Sequence, residues 1–110
     1  MYAYKEKYTL DFSNITRWDE FHQIIKKEFD LPHNYGENWD ALWDCLTDMV
    51  DIEEPLNIEI LGGEVLEQKW PGTLDTLVEI LKDLKHWRNN YFCDCVKVEI
   101  VYGEARYEIT

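Results

Sequence analysis

The sequence predicts an α/β fold: a small three-stranded parallel sheet packed by helices, with an extra C-terminal hairpin strand. Three segments alternate apolar and polar residues, as half-buried strands do. Amphipathic segments with helical spacing separate them, so the connections are too long for hairpins and the strands should run parallel. A chain of 110 residues without repeats or a linker is expected to form one domain over residues 1–110.

The strands are predicted from the period-two alternation of apolar side chains. Residues 2–12, 56–60 and 95–102 form the three strands of the expected parallel sheet. Gly103 begins a turn, from which residues 106–109 return as the hairpin strand. The hairpin strand should therefore lie beside the third strand.

Three helices are predicted around the sheet, besides a central one. Residues 18–29 form the first, with Thr16 as its cap, and it ends before Pro32 because a residue that precedes proline avoids helical angles. A short helical piece is expected at residues 64–70. The last helix covers residues 74–87, with leucines and one valine on its apolar face.

The central helix begins at Trp39, after a loop that contains proline and glycine. Asn38 is a favourable N-cap residue, and Asp40 places a negative charge in the first turn, where the helix dipole favours it. At about 100° per residue the side chains divide into two faces. The core face holds Trp39, Leu42, Cys45, Leu46 and Met49, and the opposite face holds Asp40, Trp43, Asp44 and Thr47.

The face that carries Asp40, Trp43 and Asp44 is not explained by helix stability. Like charges four residues apart repel by a few tenths of a kcal/mol, and a large exposed ring is poorly solvated. Recognition of a partner explains such a face. The alternative reading is structural, with Trp43 a partly buried core residue and the two aspartates an ordinary solvated surface.

The charge balance favours a basic partner and disfavours nucleic acid and membrane surfaces. The chain has 23 acidic and 11 basic residues, a net charge of −12. Such a surface repels polyanions and raises the association rate of cationic proteins. The N-terminal segment has no apolar core of a signal peptide, and no run is long enough to span a bilayer, so a cytoplasmic location is expected.

Neither a cofactor nor a catalytic site is indicated. The three cysteines include one C-x-C pair without zinc spacing, and the three histidines are scattered. Asp40 and Asp44 are a conceivable carboxylate pair, but an exposed helix face lacks the burial that raises the pKa of a general acid. No nucleophile motif or phosphate loop accompanies them. We therefore expect no enzyme, no metal and no cofactor.

The segment LPHNYGENWDALWDCL, residues 31–46, resembles the central motif of the barstar family of intracellular ribonuclease inhibitors. Weaker similarity continues in FHQIIKKEF before the loop and in LVEILKDL after it. The resemblance implies a barstar-like fold and an acidic helix and loop that block the active site of a basic, secreted, barnase-type ribonuclease. It also implies that the free protein is a monomer and that the bond between Glu54 and Pro55 is cis.

The resemblance implies a set of partner-binding residues in the loop, on the central helix and on the last helix. They are Asn34, Gly36, Asn38, Trp39, Asp40, Trp43, Asp44, Thr47, Met49 and Asp83. Gly36 is expected to allow a backbone conformation, or a close approach, that a Cβ would block. This chain has Asn34, Trp39 and Met49 where the family has other residues. An immunity or interaction module of the same fold, directed at a different basic toxin, therefore stays open as the alternative.

Overall fold

Four strands form one sheet in the order in which they occur in the chain. A computed structural model describes residues 6–31, 35–49, 56–85 and 96–109. The strands β1 (Tyr8–Asp11), β2 (Leu56–Leu61) and β3 (Val96–Tyr102) run parallel, and β4 (Ala105–Ile109) pairs antiparallel with β3. The predicted parallel sheet and its C-terminal hairpin strand are confirmed.

Four helices occupy the intervals between the parallel strands. They are α1 (Asp19–Phe29), α2 (Trp39–Met49), α3 (Gly63–Lys69) and α4 (Thr73–Lys85). All four predicted helices are found. The predicted first residues of β1, the last turn of α4 and the bond between Glu54 and Pro55 lie outside the described residues.

The core lies between the helices and one face of the sheet. In β2 and β3 every second residue is buried and the residues between them are half-buried or exposed, so the other face of the sheet borders solvent. The helices contribute the apolar stripes predicted from their spacing. Fully buried side chains include Tyr8, Phe12, Phe21, Phe29, Leu42, Leu46, Ile60, Leu66, Leu77 and Leu81.

The start of α1 differs from the prediction that Thr16 caps it. Trp18 occupies the N-cap position and makes no capping hydrogen bond with its side chain. Instead, the carboxylate of Glu20 reaches back and accepts hydrogen bonds from the amides of Thr16 and Arg17, at 2.9 and 2.8 Å. These bonds, first of all the one from the Thr16 amide, lower the pKa of Glu20. Thr16 does not cap the helix, because its hydroxyl donates to Glu20 Oε1 at 2.9 Å instead of accepting from the amides of the first turn.

The link from β2 to α3 passes very close to the end of β1 at Gly62. Gly62 has φ +74°, and a Cβ on it would lie 2.4 Å from the amide nitrogen of Ser13 and 2.7 Å from the carbonyl carbon of Phe12. Both are backbone atoms that cannot rotate away. The two chain segments can therefore approach each other this closely only because residue 62 has no side chain.

A charge network on the solvent face of the sheet links β4 to β2 and β3. Arg106 of β4 donates to Glu59 of β2 at 3.1 Å and also pairs with Glu99 of β3, while Lys7 lies 3.3 Å from Glu59. The hydrogen bond from Arg106 is the main reason that the pKa of Glu59 is lowered. The hairpin strand is thus held by side chains as well as by its backbone pairing.

Candidate partner-binding surface

The loop before α2 is anchored to α1 by a buried polar contact. The Tyr35 hydroxyl lies 2.7 Å from His22 Nδ1, and these residues are only 6% and 5% exposed. Burial lowers the pKa of His22 and raises that of Tyr35, so both groups are neutral near pH 7. A neutral imidazole allows this contact in either tautomer, with the phenol O–H donating to an unprotonated Nδ1 or with Nδ1–H donating to the phenol oxygen. This contact fixes the position of Tyr35 relative to α1.

The turn from Gly36 to Asn38 leads directly into α2. Asn38 Oδ1 accepts from the Ala41 amide at 2.8 Å, which confirms the predicted N-cap, and Asn38 Nδ2 donates to the Gly36 carbonyl at 3.2 Å. The positive φ of this turn, 52°, lies at Glu37 and not at Gly36. A Cβ on Gly36 would lie 3.2 Å from Asn38 Nδ2. Gly36 therefore accommodates the capping side chain, and of the two expectations for it, the close approach of a partner's atoms stays a prediction.

We expect Asn38→Ala to lower the free energy of unfolding by about 1 kcal/mol, because it removes the cap and the second hydrogen bond to the loop. Asn38→Asp keeps the acceptor for the Ala41 amide and should stay within a few tenths of a kcal/mol of the parent chain. Urea unfolding of the three proteins measures the difference. Equal stabilities of Asn38→Ala and the parent chain would contradict the capping role.

One side of α2 packs into the core. Leu42 and Leu46 are each 1% exposed, and Cys45 is also buried. The buried side is the one that the sequence spacing assigned to the core, and the helix also contacts α4. The orientation of α2 is therefore set by apolar burial, which leaves its opposite side facing outward.

The outward side of α2 is acidic. Asp40 and Asp44 are exposed, and neither forms an ion pair with a described residue. Thr47, half-buried, donates from Oγ1 to the carbonyl oxygen of Asp44 at 2.9 Å. Asp48 is also exposed and continues the spacing of four residues, a position that the sequence interpretation left out. Because α2 contains no lysine or arginine, nothing on the helix itself neutralises this row.

The tryptophans of α2 lie at the border between the acidic side and the core. Trp43 is half-buried and packs against the core, as the structural alternative for this face predicted, so it does not lie fully on the solvent side with the two aspartates. Trp39 is also half-buried, with its ring centroid 5.5 Å from that of Phe21 and 5.8 Å from that of His22. Position 43 is at the edge of the helix face, where the neighbouring elements decide the burial. Each ring still keeps part of its area for a contact beside the aspartates.

The segment that builds this surface lies within a match to a known family. The family model described as Barstar (barnase inhibitor) matches residues 6–99. The chain belongs to the barstar family. It is also 36% identical over 73 residues to a protein of Bacillus subtilis (strain 168) named "Putative ribonuclease inhibitor YrdF", covering 66% of this chain and 75% of that protein. The family match spans β1, β2, the four helices and the first four residues of β3, whereas β4 follows it.

The structure describes the remaining residues implied by the barstar resemblance to different extents. Asp83 is exposed on α4, the helix against which α2 packs. Met49 is the last residue of α2, and its side chain lies outside the described structure. Asn34 also lies outside the described residues. The binding roles of all ten residues stay predictions.

The exposed carboxylates of this surface are suited to binding cationic groups. Exposed carboxylates can accept charge-assisted hydrogen bonds from arginine, lysine or protonated histidine of another protein. Across the described ranges no group of three or more histidine, cysteine or acidic residues is arranged to hold a metal ion. None of the described helices has the length and apolarity needed to cross a bilayer.

Proposed function

We propose that this barstar-family chain inhibits a basic ribonuclease of the barnase type by covering its active site with α2 and the loop before it. The observation that carries the proposal is the exposed pair Asp40 and Asp44, held on a rigid helix inside the segment that matches the family. A ribonuclease holds substrate phosphates with cationic side chains. Carboxylates placed at similar positions occupy those cations in place of RNA.

Each side chain of the surface has a distinct proposed role. Asp44 makes the central charge-assisted hydrogen bonds, and Asp40 makes a second pairing nearby. Thr47 bonds at the rim, while Trp43 supplies apolar area that excludes water from the aspartate contacts. The net charge of −12 accelerates the encounter with a basic enzyme. The loop residues Gly36 and Asn38 extend the contact.

Titration of the chain into basic guanyl-specific ribonucleases, barnase among them, tests the proposal. We expect RNA cleavage by at least one of them to fall to zero at one inhibitor per enzyme, with slower association at high salt because the steering charges are screened. Substoichiometric loss of cleavage would point to another mechanism. If no enzyme of the panel is inhibited while a basic toxin without ribonuclease activity binds with the same salt dependence, the target is that other toxin.

The location and stoichiometry belong to the same proposal. An inhibitor that protects the producing cell from a secreted ribonuclease acts in the cytoplasm, before the enzyme is exported. One monomer of the chain would bind one enzyme, since the single acidic face of α2 fits a single active site.

A further inference from the structure

The tryptophans in the described ranges all keep part of their surface accessible to solvent. All four that the structure describes are half-buried or exposed, while its largest fully buried side chains are phenylalanine, tyrosine, leucine and isoleucine. Trp18 is 42% exposed, among the most exposed large apolar side chains of the described ranges. Exposed indole rings that lie together are typical of a contact surface.

These rings lead toward the candidate surface, and the step from Trp18 to Trp39 passes through Phe21, a buried ring that both tryptophans contact. The ring of Trp18 lies 5.4 Å from that of Trp70, at the end of α3, and stacks on Phe21 at 5.1 Å with an interplanar angle of 3°. Phe21 contacts Trp39 at 5.5 Å, and Trp43 follows one helical turn later on α2. We name Trp70, Trp18, Trp39 and Trp43, in this order, the tryptophan row.

The acidic side of α2 is too small to form a stable interface alone. A helix of 11 residues is about 16 Å long, and one side of it offers far less than the roughly 800 Å² per partner of a typical stable complex. The partner must therefore contact residues beyond α2. The tryptophan row reaches α2 at Trp39 and Trp43, and Trp18 and Trp70 add apolar area beyond the helix and the loop before it.

The charges around Trp18 and Trp70 indicate the chemistry of what they contact. Arg17 pairs with Asp19 at 3.4 Å, and Lys69 precedes Trp70, so both signs border these two rings. The outer side of α2, in contrast, carries only acidic charge. A cationic group is therefore favoured at α2 and an apolar group at Trp18 and Trp70.

We propose that the tryptophan row is a second part of the inhibitory surface, on which apolar side chains beside the basic active site of the same ribonuclease pack against Trp18 and Trp70. This inference rests on the proposed function. It divides the interface into a charged half at Asp40 and Asp44 and an apolar half at Trp18 and Trp70. The two halves differ in their response to salt, because only the first depends on Coulombic attraction.

The test compares Trp18→Ala with Asp44→Ala against the ribonuclease that the parent chain inhibits. We expect Trp18→Ala to weaken binding about tenfold or more, mainly through faster dissociation and by the same factor at low and high salt. Asp44→Ala should weaken binding and also reduce its salt dependence. Tyr107→Ala, which removes a ring that is 57% exposed on β4, is the matched control and should bind as the parent does.

The outcomes separate the two proposals. If Asp44→Ala weakens binding and Trp18→Ala does not, the tryptophan row is not part of the interface and only this inference fails. If neither variant changes the affinity, the proposed function of α2 fails. If the free parent chain is a dimer that Trp18→Ala converts to a monomer, the row binds a second copy and the inference is wrong.

A second measurement does not depend on removing the ring. The chain labelled with 5-fluorotryptophan gives one fluorine resonance for each of its five tryptophans, and Trp18→Phe assigns the resonance of Trp18 while keeping a stacked ring on Phe21. We expect the Trp18 and Trp70 resonances to shift when the ribonuclease saturates the chain. Shifts confined to Trp39 and Trp43 would overturn the proposal.

Discussion

Asp44→Ala should weaken binding to the cognate ribonuclease by 2 to 5 kcal/mol, or about 30-fold to several-thousand-fold, because it leaves the enzyme's cations buried without a partner. The loss should appear mainly as faster dissociation. Asp44 is exposed at the centre of the outward side of α2 and has no ion pair with a described residue, so its removal should hardly change stability. Surface plasmon resonance and urea unfolding measure the two effects.

Two variants test whether the charge of Asp44 or its position matters. Asp44→Asn keeps the shape but removes the charge, and we expect it to lose most of what Asp44→Ala loses. Glu108→Gln, on exposed β4, removes one charge at a distance and should only slow association slightly. An unchanged affinity of Asp44→Ala would show that the central role belongs to another residue. Barstar is itself the reference example of one aspartate with so large an effect, so the size is carried over from the family.

Gly62→Ala should lower the free energy of unfolding by about 2 to 5 kcal/mol, the combined cost of a left-handed conformation and of overpacking. The new Cβ would lie within 3 Å of backbone atoms of Phe12 and Ser13, so the end of β1 would have to move away from the link between β2 and α3. Urea or thermal unfolding measures the loss. Inhibition should be kept at temperatures where the variant stays folded, since α2 is not part of this crossing.

Gly103→Ala is the matched control for Gly62→Ala. Gly103 also has a positive φ, +60°, but a Cβ there would have no described atom within 4 Å. Its substitution should cost only the conformational strain of about 1 kcal/mol. Similar losses at the two glycines would mean that the close approach at Gly62 is relieved without cost.

The parts of the fold that could be predicted are those that local patterns determine. Alternation of apolar residues located β2 and β3, and Asn38 marked the start of α2, because an N-cap hydrogen bond involves residues only three positions apart. The cap of α1 was wrong for a related reason. Glu20 accepts from the Thr16 hydroxyl and from the amides of Thr16 and Arg17, and the propensity of threonine for caps does not show that its hydroxyl will donate to a nearby carboxylate.

The parts that could not be predicted depend on contacts between distant segments. The burial of Trp43 is set by what packs beside α2, which a helical projection does not contain. The contact of Trp18 with Trp70 joins the start of α1 to the end of α3, and no spacing in the sequence announces it. The glycine at position 62 has no distinguishing local pattern in the sequence. Only the folded chain shows that the backbone just after β1 passes too close to position 62 for a Cβ to fit there.

The sheet combines two kinds of strand pairing that differ in how fast they can form. A turn of two residues joins β3 to β4, so this hairpin can assemble from neighbouring chain on a timescale of about 1–10 μs. The pairings of β1 with β2 and of β2 with β3 each require a crossover that contains helices, and they carry a larger loop-closure entropy. During refolding, β3 can therefore pair with β4 before it pairs with β2. The opposite edge of β3 then stays unpaired until β2 arrives.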